Sequence, residues 1–192
     1  MSGLSRHLGV FVLGAAATCQ ASAQHIDWSS TRFSGTVQWI VPQKEFGTYW
    51  NDGPAVGLFA DIPMEGPFSP VAMGIFSWHS AAESPRKSLI PPVLLFQLGG
   101  GVTWTHGLSP TVDVTLGAML VNNAFILTGP AVRPGFDNEV ESEFGFSSSA
   151  TLTINTGSLP PFSFLVSYQP ILVGLEPVAI ASFGLVMRIS GE

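Results

Sequence analysis

A regular alternation of apolar and polar residues runs from Val140 to Asn155, VESEFGFSSSATLTIN. Its even-numbered positions are mostly apolar, and its odd-numbered positions are all polar or glycine. Because successive side chains of a β-strand point to opposite faces, the pattern predicts one strand with an apolar face and a polar face. The segment is roughly three times as long as a usual strand of five or six residues. Such a strand is typical of a barrel wall with lipid outside and a polar lumen inside.

The same alternation recurs along the chain between breaks rich in Pro, Gly, Asn and Asp. It predicts an all-β fold, an eight-stranded antiparallel up-and-down transmembrane β-barrel. The third strand has the weakest alternation, since both of its faces are apolar. The predicted strands are Arg32–Val41, Ala55–Met64, Val71–His79, Leu94–Thr105, Thr111–Val121, Val140–Asn155, Phe162–Gln169 and Val178–Ser190.

The connections between these strands alternate in length. They are long near 43–54, 80–93 and 122–139, short near 65–70, 106–110 and 156–161, and intermediate near 171–177. Outer-membrane barrels have short periplasmic turns and longer extracellular loops. We therefore expect both ends of the barrel domain in the periplasm and the long loops outside the cell.

Composition supports a membrane environment. Charged residues make up 10% of the chain and hydrophobic residues 46%, whereas a soluble domain averages about 25% charged. No stretch predicts a spanning helix, because Pro, Gly, Ser and Thr interrupt every apolar run. The net charge of −6 argues against nucleic acid as a partner.

Residues 1–23 predict a secretory signal peptide, with Arg6 before a short apolar core and a small-residue cleavage site at Ala21–Ala23. Residues 24–192 would then form the mature barrel domain. The only cysteine, Cys19, lies in the removed segment, so no disulfide is expected. Attachment of a lipid to Cys19 is the weaker alternative, because the residues before it lack the usual leucine.

On this architecture, the chain resembles the small eight-stranded bacterial outer-membrane barrels of the OmpA-domain and OmpX type, over about Arg32 to Ser190. The resemblance implies a monomer in the outer membrane of a Gram-negative cell, with membrane lipid and the outer-membrane assembly machinery as partners. Such proteins usually end in an aromatic residue that this machinery recognises, whereas this sequence ends in Ser190-Gly191-Glu192.

Aromatic residues are expected to form a girdle at each membrane interface. They are Phe33, Trp104, Phe162 and Phe164 near the periplasmic rim, and Trp39, Trp78, Phe144 and Tyr168 near the outer rim.

Charged residues on the inward faces fall into two groups. Asp61, Asp113 and Arg188 are expected in the periplasmic half of the lumen, where Arg188 would pair with one of the aspartates, because a buried charge is costly when unpaired. Glu139, Glu141 and Glu143 form an acidic stripe toward the outer mouth, predicted to be a solvated strand end rather than a cation site. We expect no metal site and no cofactor, since the histidines are scattered.

The sequence favours a non-catalytic outer-membrane protein with a structural or surface-interaction role through its long loops and an unidentified extracellular ligand. One alternative is an acyl hydrolase or transferase acting on membrane lipid, with His79, Ser80 and Glu83 as candidate residues. Adjacent residues on a strand face opposite sides, which argues against His79 and Ser80 as a base and its nucleophile. His79 is instead expected to be interfacial, and Ser80 to Lys87 to form a polar loop. A second alternative is a soluble lipocalin-like binding barrel, which would require the apolar faces to point inward.

Overall fold

A computed structural model of the chain describes residues 28–82, 91–128, 140–157, 161–172 and 178–190. Its eight strands form a closed antiparallel barrel in sequential order, with β1 completing the closure against β8. The predicted signal peptide at residues 1–23 lies outside the described residues. The strands are β1 (Arg32–Lys44), β2 (Gly53–Asp61), β3 (Phe68–His79), β4 (Val93–Ser109), β5 (Val112–Leu127), β6 (Val140–Ile154), β7 (Phe162–Ile171) and β8 (Val178–Ser190).

The predicted facing of the strands is confirmed. Even-numbered residues of β6 from Phe144 to Leu152 point outward, and Gly145 and Ser147 on the other parity are buried inside. The same holds on β8, where Phe183, Leu185 and Met187 are exposed. The alternation is set by the pleat of each strand, so one register determines every side chain in a strand. All eight strands carry exposed large apolar residues on their outer face.

Among the strands that extend beyond their predicted ends, β5 and β4 do so by the most residues. β5 continues through Asn122 and Asn123 to Leu127, where the sequence suggested a loop. These two asparagines remain in the strand because each has a hydrogen-bond partner there: Asn122 bonds to Ser142 on the outer face, and Asn123 bonds inside the lumen. β4 continues to Ser109, past the predicted end at Thr105, with a shift in register next to Gly107.

The connection between β1 and β2 contains a five-residue helix, α1 (Glu45–Tyr49), that the sequence analysis did not predict. The residue before it, Lys44, has φ 58° and ψ −133°. This positive φ lets the chain leave β1 and turn α1 back over the barrel mouth. α1 contacts β1 and β8.

The hydrophobic core lies inside the barrel, in the half nearest α1. It includes Ile40, Met73, Leu95, Val121 and Ile180, all nearly inaccessible to solvent. The lumen is therefore only partly polar, whereas the sequence predicted a polar lumen. No helix in the described parts of the chain is long and apolar enough to cross a membrane.

Candidate functional site: a lumen closed at one end and open at the other

The barrel has two unlike ends. The loop end carries the connections 45–52, 80–92, 128–139 and 172–177, and the turn end carries the connections 62–67, 110–111 and 155–161. Both β1 and β8 meet the turn end, where β1 begins at Arg32 and β8 ends at Ser190. From the loop end to the turn end, the inward side chains form an aromatic cap and then a belt of amides and hydroxyls. Beyond the belt they surround a cavity.

The aromatic cap closes the loop end. Phe46 of α1 points into the lumen, is 3% exposed, and packs its ring 5.1 Å from Trp50 and 5.6 Å from both His79 and Phe125, measured between ring centroids. Aromatic contacts at these distances are stabilising beyond the area that they bury. Because α1 has only five residues, it is too short to be stable alone. The contacts of Phe46 hold it in place over the lumen.

Backbone and side-chain hydrogen bonds fasten the cap to the next loop. Asn51 N–H donates to Ser80 O (2.9 Å), and Asn51 Nδ2 donates to Ser80 Oγ and to Ala81 O (3.0 Å each). Trp50 Nε1 donates to Pro91 O at 3.0 Å. Two sequence-distant connections are thus joined into one lid.

His79 lies beneath this lid and is fully buried. Its Nδ1 lies 2.9 Å from the backbone oxygen of Asn51, which can only accept, so Nδ1 carries the proton. Nε2 is then the acceptor for the Ser77 hydroxyl at 3.0 Å. Both ring nitrogens are occupied by structural partners.

This arrangement corrects the prediction that His79 is interfacial. The side chain points inward because it shares the parity of Met73, Ile75 and Ser77 on β3. The third candidate catalytic residue, Glu83, lies outside the described residues. Ser80 is hydrogen-bonded to Asn51 instead of His79, so the structure does not join His79 and Ser80 as base and nucleophile.

A triangle of three buried amides crosses the lumen below the cap. Gln97 Nε2 donates to Asn123 Oδ1 (3.0 Å) and to Gln169 Oε1 (2.9 Å), and Gln169 Nε2 donates to Asn123 Oδ1 (2.7 Å). Asn123 Nδ2 also donates to the backbone oxygen of Glu143 at 3.2 Å. The triangle connects β4 and β5 with β7 across the barrel.

A second network lies at the seam where the barrel closes. Ser182 of β8 donates to Gln38 Oε1 of β1 at 2.8 Å, and its hydroxyl lies 2.7 Å from that of Ser167 on β7. Thr36 donates to Leu185 O at 3.0 Å. The space left in this belt is a cavity of about 20 Å³, enough for about one water molecule. Side chains therefore fill the middle of the lumen, as expected for eight strands.

The turn end is by contrast left open by the described residues. A cavity of about 490 Å³ extends from the turn between β2 and β3 to a floor that includes Phe59, Met119 and Leu165. Its walls carry many serine and threonine hydroxyls together with four charged side chains: Arg32, Asp61, Asp113 and Arg188. This turn-end cavity is large enough for a small solute.

The predicted lumen charges thus line one space. Arg32 and Asp61 are cross-strand partners, and the charges of Arg32 and Arg188 both act on the Asp61 carboxylate. Asp113 Oδ2 accepts a hydrogen bond from Asn155 Nδ2 at 2.8 Å. A specific pairing of Arg188 with Asp61 or Asp113 stays a prediction. Arg32 was not among the lumen charges predicted from the sequence, although it shares the inward parity of Thr36 and Gln38 on β1.

The acidic stripe is only partly visible. Glu141 and Glu143 lie on the inward parity of β6 at the loop end, opposite Phe125 and Asn123 on β5, and Glu139 lies outside the described residues. Within the described segments, no group of three or more His, Cys, Asp or Glu side chains is placed to hold a metal ion.

The predicted girdle residues face outward. At the loop end, Trp39, Trp78, Phe144 and Tyr168 are all exposed, and Trp39 Nε1 donates to Asp52 Oδ2 at 2.6 Å. At the turn end, Phe33 and Phe164 are exposed, while Trp104 and Phe162 are partly covered: Trp104 stacks on His106, and Phe162 packs against Phe164. Their role at a membrane interface stays a prediction.

Sequence analysis missed the residues that close the lumen: Phe46, Trp50, Ser77 and the three amides. Two of the amides had a usable signal, because Gln97 and Gln169 lie at inward positions of predicted strands, whereas Asn123 lies beyond the predicted end of its strand. Phe46 had none, since its position depends on the path of the connection.

No protein-family model matches the chain, and no curated protein sequence does so either. Solved structures do resemble it. Neisserial surface protein A (NspA) superposes with a TM-score of 0.58 and 12% sequence identity, over 83% of this chain and 96% of that one. Ail of Yersinia pestis, solved in a phospholipid bilayer nanodisc, gives a TM-score of 0.51 and 13% identity, over 82% of this chain and 99% of that one.

At these identities, the likeness concerns the course of the backbone and not the residues that line the lumen. The number of strands, their antiparallel order and the closure of β1 on β8 all agree with the architecture that the alternation predicted. The chain has the fold of the small eight-stranded outer-membrane β-barrels.

Proposed function

We propose that the mature chain is a non-catalytic protein of the bacterial outer membrane, inserted as a monomeric barrel and exposing its loop end to the cell exterior. In this proposal, the loops contact an extracellular ligand or surface. The barrel supplies a rigid support for them. The observation that carries the proposal is the continuous apolar surface on the outside of all eight strands.

That surface suits lipid and not water. Val37, Leu58 and Leu98 are each more than half exposed, and they lie on neighbouring parts of the same outer face. Monomeric soluble proteins rarely expose large contiguous apolar patches, whereas an outward apolar band is the defining surface of an outer-membrane barrel. A soluble lipocalin-like barrel would need these side chains inside, where Thr36, Gln38 and Gln97 are found instead.

The orientation is supported by the difference between the ends. The turn between β4 and β5 has only residues 110 and 111, whereas the connection between β3 and β4 runs from 80 to 92. Short periplasmic and long external connections are the rule in this class of barrel. The aromatic cap also closes the loop end, which separates the external medium from the turn-end cavity.

The capped loop end favours a binding surface over lipid chemistry. His79 is inaccessible, and both of its ring nitrogens are held by Ser77 and Asn51. A hydrolase would require a base that reaches a nucleophile at the lipid-facing surface. The cap instead holds the first two external connections together as one platform.

Labelling of single cysteines tests location and orientation together. In a Cys19→Ser background, Tyr49→Cys lies on the exposed part of the cap, Gly66→Cys lies in the turn between β2 and β3, and Leu58→Cys lies on the outer face. A membrane-impermeant maleimide should label Tyr49→Cys on intact Gram-negative cells and Gly66→Cys only after the outer membrane is permeabilised.

Leu58→Cys is the matched control, because a side chain in lipid should resist the water-soluble reagent under both conditions. Labelling of Gly66→Cys but not Tyr49→Cys on intact cells would reverse the orientation. Recovery of the mature chain in the soluble periplasmic fraction, with Leu58→Cys labelled, would overturn the membrane assignment.

A further inference from the structure

The turn-end cavity carries charges of opposite sign on opposite walls. Arg188, Arg32 and Asp61 lie on the adjacent strands β8, β1 and β2, and Asp113 lies on β5. In a closed barrel of eight strands in sequential order, β1 and β5 are separated by three strands in either direction. One wall therefore has two cations and one anion, and the facing wall has an anion.

The cationic wall has unused hydrogen-bonding capacity. Arg32 Nε is buried and hydrogen-bonds to no described residue, which is costly for a charged group unless an acceptor is supplied. Asp61 offsets only one of the two arginines. A carboxylate is the acceptor that guanidinium groups bind most readily.

The anionic wall has capacity as well. Asn155 donates to Oδ2 of Asp113, and a carboxylate can accept further hydrogen bonds on its other oxygen. Threonine hydroxyls flank it, two of which, Thr105 and Thr115, lie 2.9 Å apart. This wall suits an ammonium group, with hydroxyls as additional partners.

We propose that the turn-end cavity is a binding site for a small zwitterionic solute of the amino acid or dipeptide class. The ligand carboxylate lies against Arg32 and Arg188, and the ligand ammonium lies against Asp113. The cavity volume of about 490 Å³ falls in the range of small-molecule pockets, roughly 300–1,000 Å³. The apolar floor of Phe59, Met119 and Leu165 receives the ligand's side chains. That the site opens to the periplasm rests on the proposed function, whereas the binding itself does not.

Titrations with three probes test the site: L-alanyl-L-alanine as the zwitterion, acetate as the carboxylate alone and methylammonium as the cation alone. Binding in each titration is measured by ligand-observed NMR on the mature chain refolded in detergent. The dipeptide should bind more tightly than either fragment, because it contacts both walls.

Variants that remove a charge should change affinity in opposite directions, depending on which charge is removed. Arg188→Gln should weaken dipeptide and acetate binding roughly tenfold or more, as expected for loss of a hydrogen bond to a charged group. Asp113→Asn should weaken the dipeptide but leave acetate unchanged. Asp61→Asn should tighten acetate binding, because it removes the anion that competes for the arginines. Glu141→Gln, at the loop end, is the matched control and should change none of these affinities.

The proposal is overturned if the dipeptide binds no better than acetate, or if Glu141→Gln changes affinity as much as the cavity variants do. Tightening of acetate by Asp61→Asn would support a ligand site specifically, since a purely structural ion cluster would only lose stability. Each variant is first shown to be folded by its faster migration when unboiled on a denaturing gel. Binding by a barrel with reversed orientation in cells would refute the proposed orientation and leave the site intact.

Discussion

At the residue scale, the loop end depends on a few positions that sequence periodicity does not reveal. Lys44 adopts a positive φ so that α1 can fold over the lumen, and His79 is held between Ser77 and the backbone of Asn51. These positions stabilise the cap. Their contributions to the stability of the cap can be measured as changes in the free energy of unfolding.

Lys44→Gly should raise the free energy of unfolding by about 1 kcal/mol. Glycine adopts positive φ without the steric cost that a side chain incurs, and non-glycine residues in such regions cost roughly 1–3 kcal/mol. Urea titration in detergent, followed by tryptophan fluorescence, measures the change. Lys44→Ala removes the same charge but keeps the Cβ atom, so it should give no gain. Equal stabilisation by both substitutions would show that backbone strain is not the cause.

Ser77→Ala should lower the free energy of unfolding by about 1–2 kcal/mol, because His79 Nε2 is then buried without a donor. Ser80→Ala should cost less than about 0.5 kcal/mol, since Ser80 is only partly buried in the loop. The same unfolding experiment compares the two. A larger loss for Ser80→Ala would contradict the structural role assigned to the buried pair.

At the element scale, the strands are connected twice, by the backbone ladder around the barrel and by side chains across the lumen. The amide triangle joins β4, β5 and β7, and the Ser182–Gln38 bond strengthens the closing seam. Because the space left in the middle of the barrel is only about 20 Å³, each amide depends on its neighbours for hydrogen bonds. Two adjacent residues, one facing the lumen and one facing outward, should therefore lose different amounts of stability on the same substitution.

Asn123→Ala and Asn122→Ala provide that comparison. Asn123 is fully buried and serves Gln97, Gln169 and the Glu143 backbone, so its loss should cost about 1–3 kcal/mol. Asn122 lies on the outer face and bonds only to Ser142 among the described residues, so its loss should be nearly neutral. Unfolding free energies of the two variants in lipid vesicles decide the matter. Similar losses at both positions would mean that the triangle adds nothing specific.

Gly145→Ala tests how closely the strands approach the triangle. A Cβ atom at Gly145 would lie 2.8 Å from Pro170 O and 3.0 Å from Gln169 Nε2, which forces a shift of backbone or amide. We expect a loss of about 1–3 kcal/mol. Gly100→Ala is the control, because its nearest atom would lie 3.8 Å away. A tolerated Gly145→Ala together with a damaging Gly100→Ala would be inconsistent with this packing.

The sequence predicted the strands well because period-two alternation is a local property of the pleat. It correctly gave eight strands and their outward faces. It ended β5 too early at Val121, because two asparagines resemble a turn when their hydrogen-bond partners are unknown. It missed α1 and Phe46, since a five-residue helix shows no period and is stabilised only by contacts with distant residues.

At the scale of the whole molecule, the barrel is inverted relative to a soluble protein. Its outer surface is apolar on every strand, its core is a cap and a belt inside the lumen, and its polar cavity opens at one end. The two faces of a single strand should therefore meet different environments. β4 shows this most clearly, because Leu98 and Val102 point outward while Thr103 and Thr105 line the turn-end cavity.

Spin labels at these four positions of β4, in the mature chain inserted into phospholipid vesicles, give the most direct test. Labels at Leu98 and Val102 should relax strongly with oxygen, which concentrates in lipid, and labels at Thr103 and Thr105 should relax with a water-soluble nickel complex that enters the cavity. A switch of preference between Val102 and Thr103 is the predicted result. Equal access of the nickel complex to Leu98 and Val102 would contradict a barrel whose outer face lies in lipid.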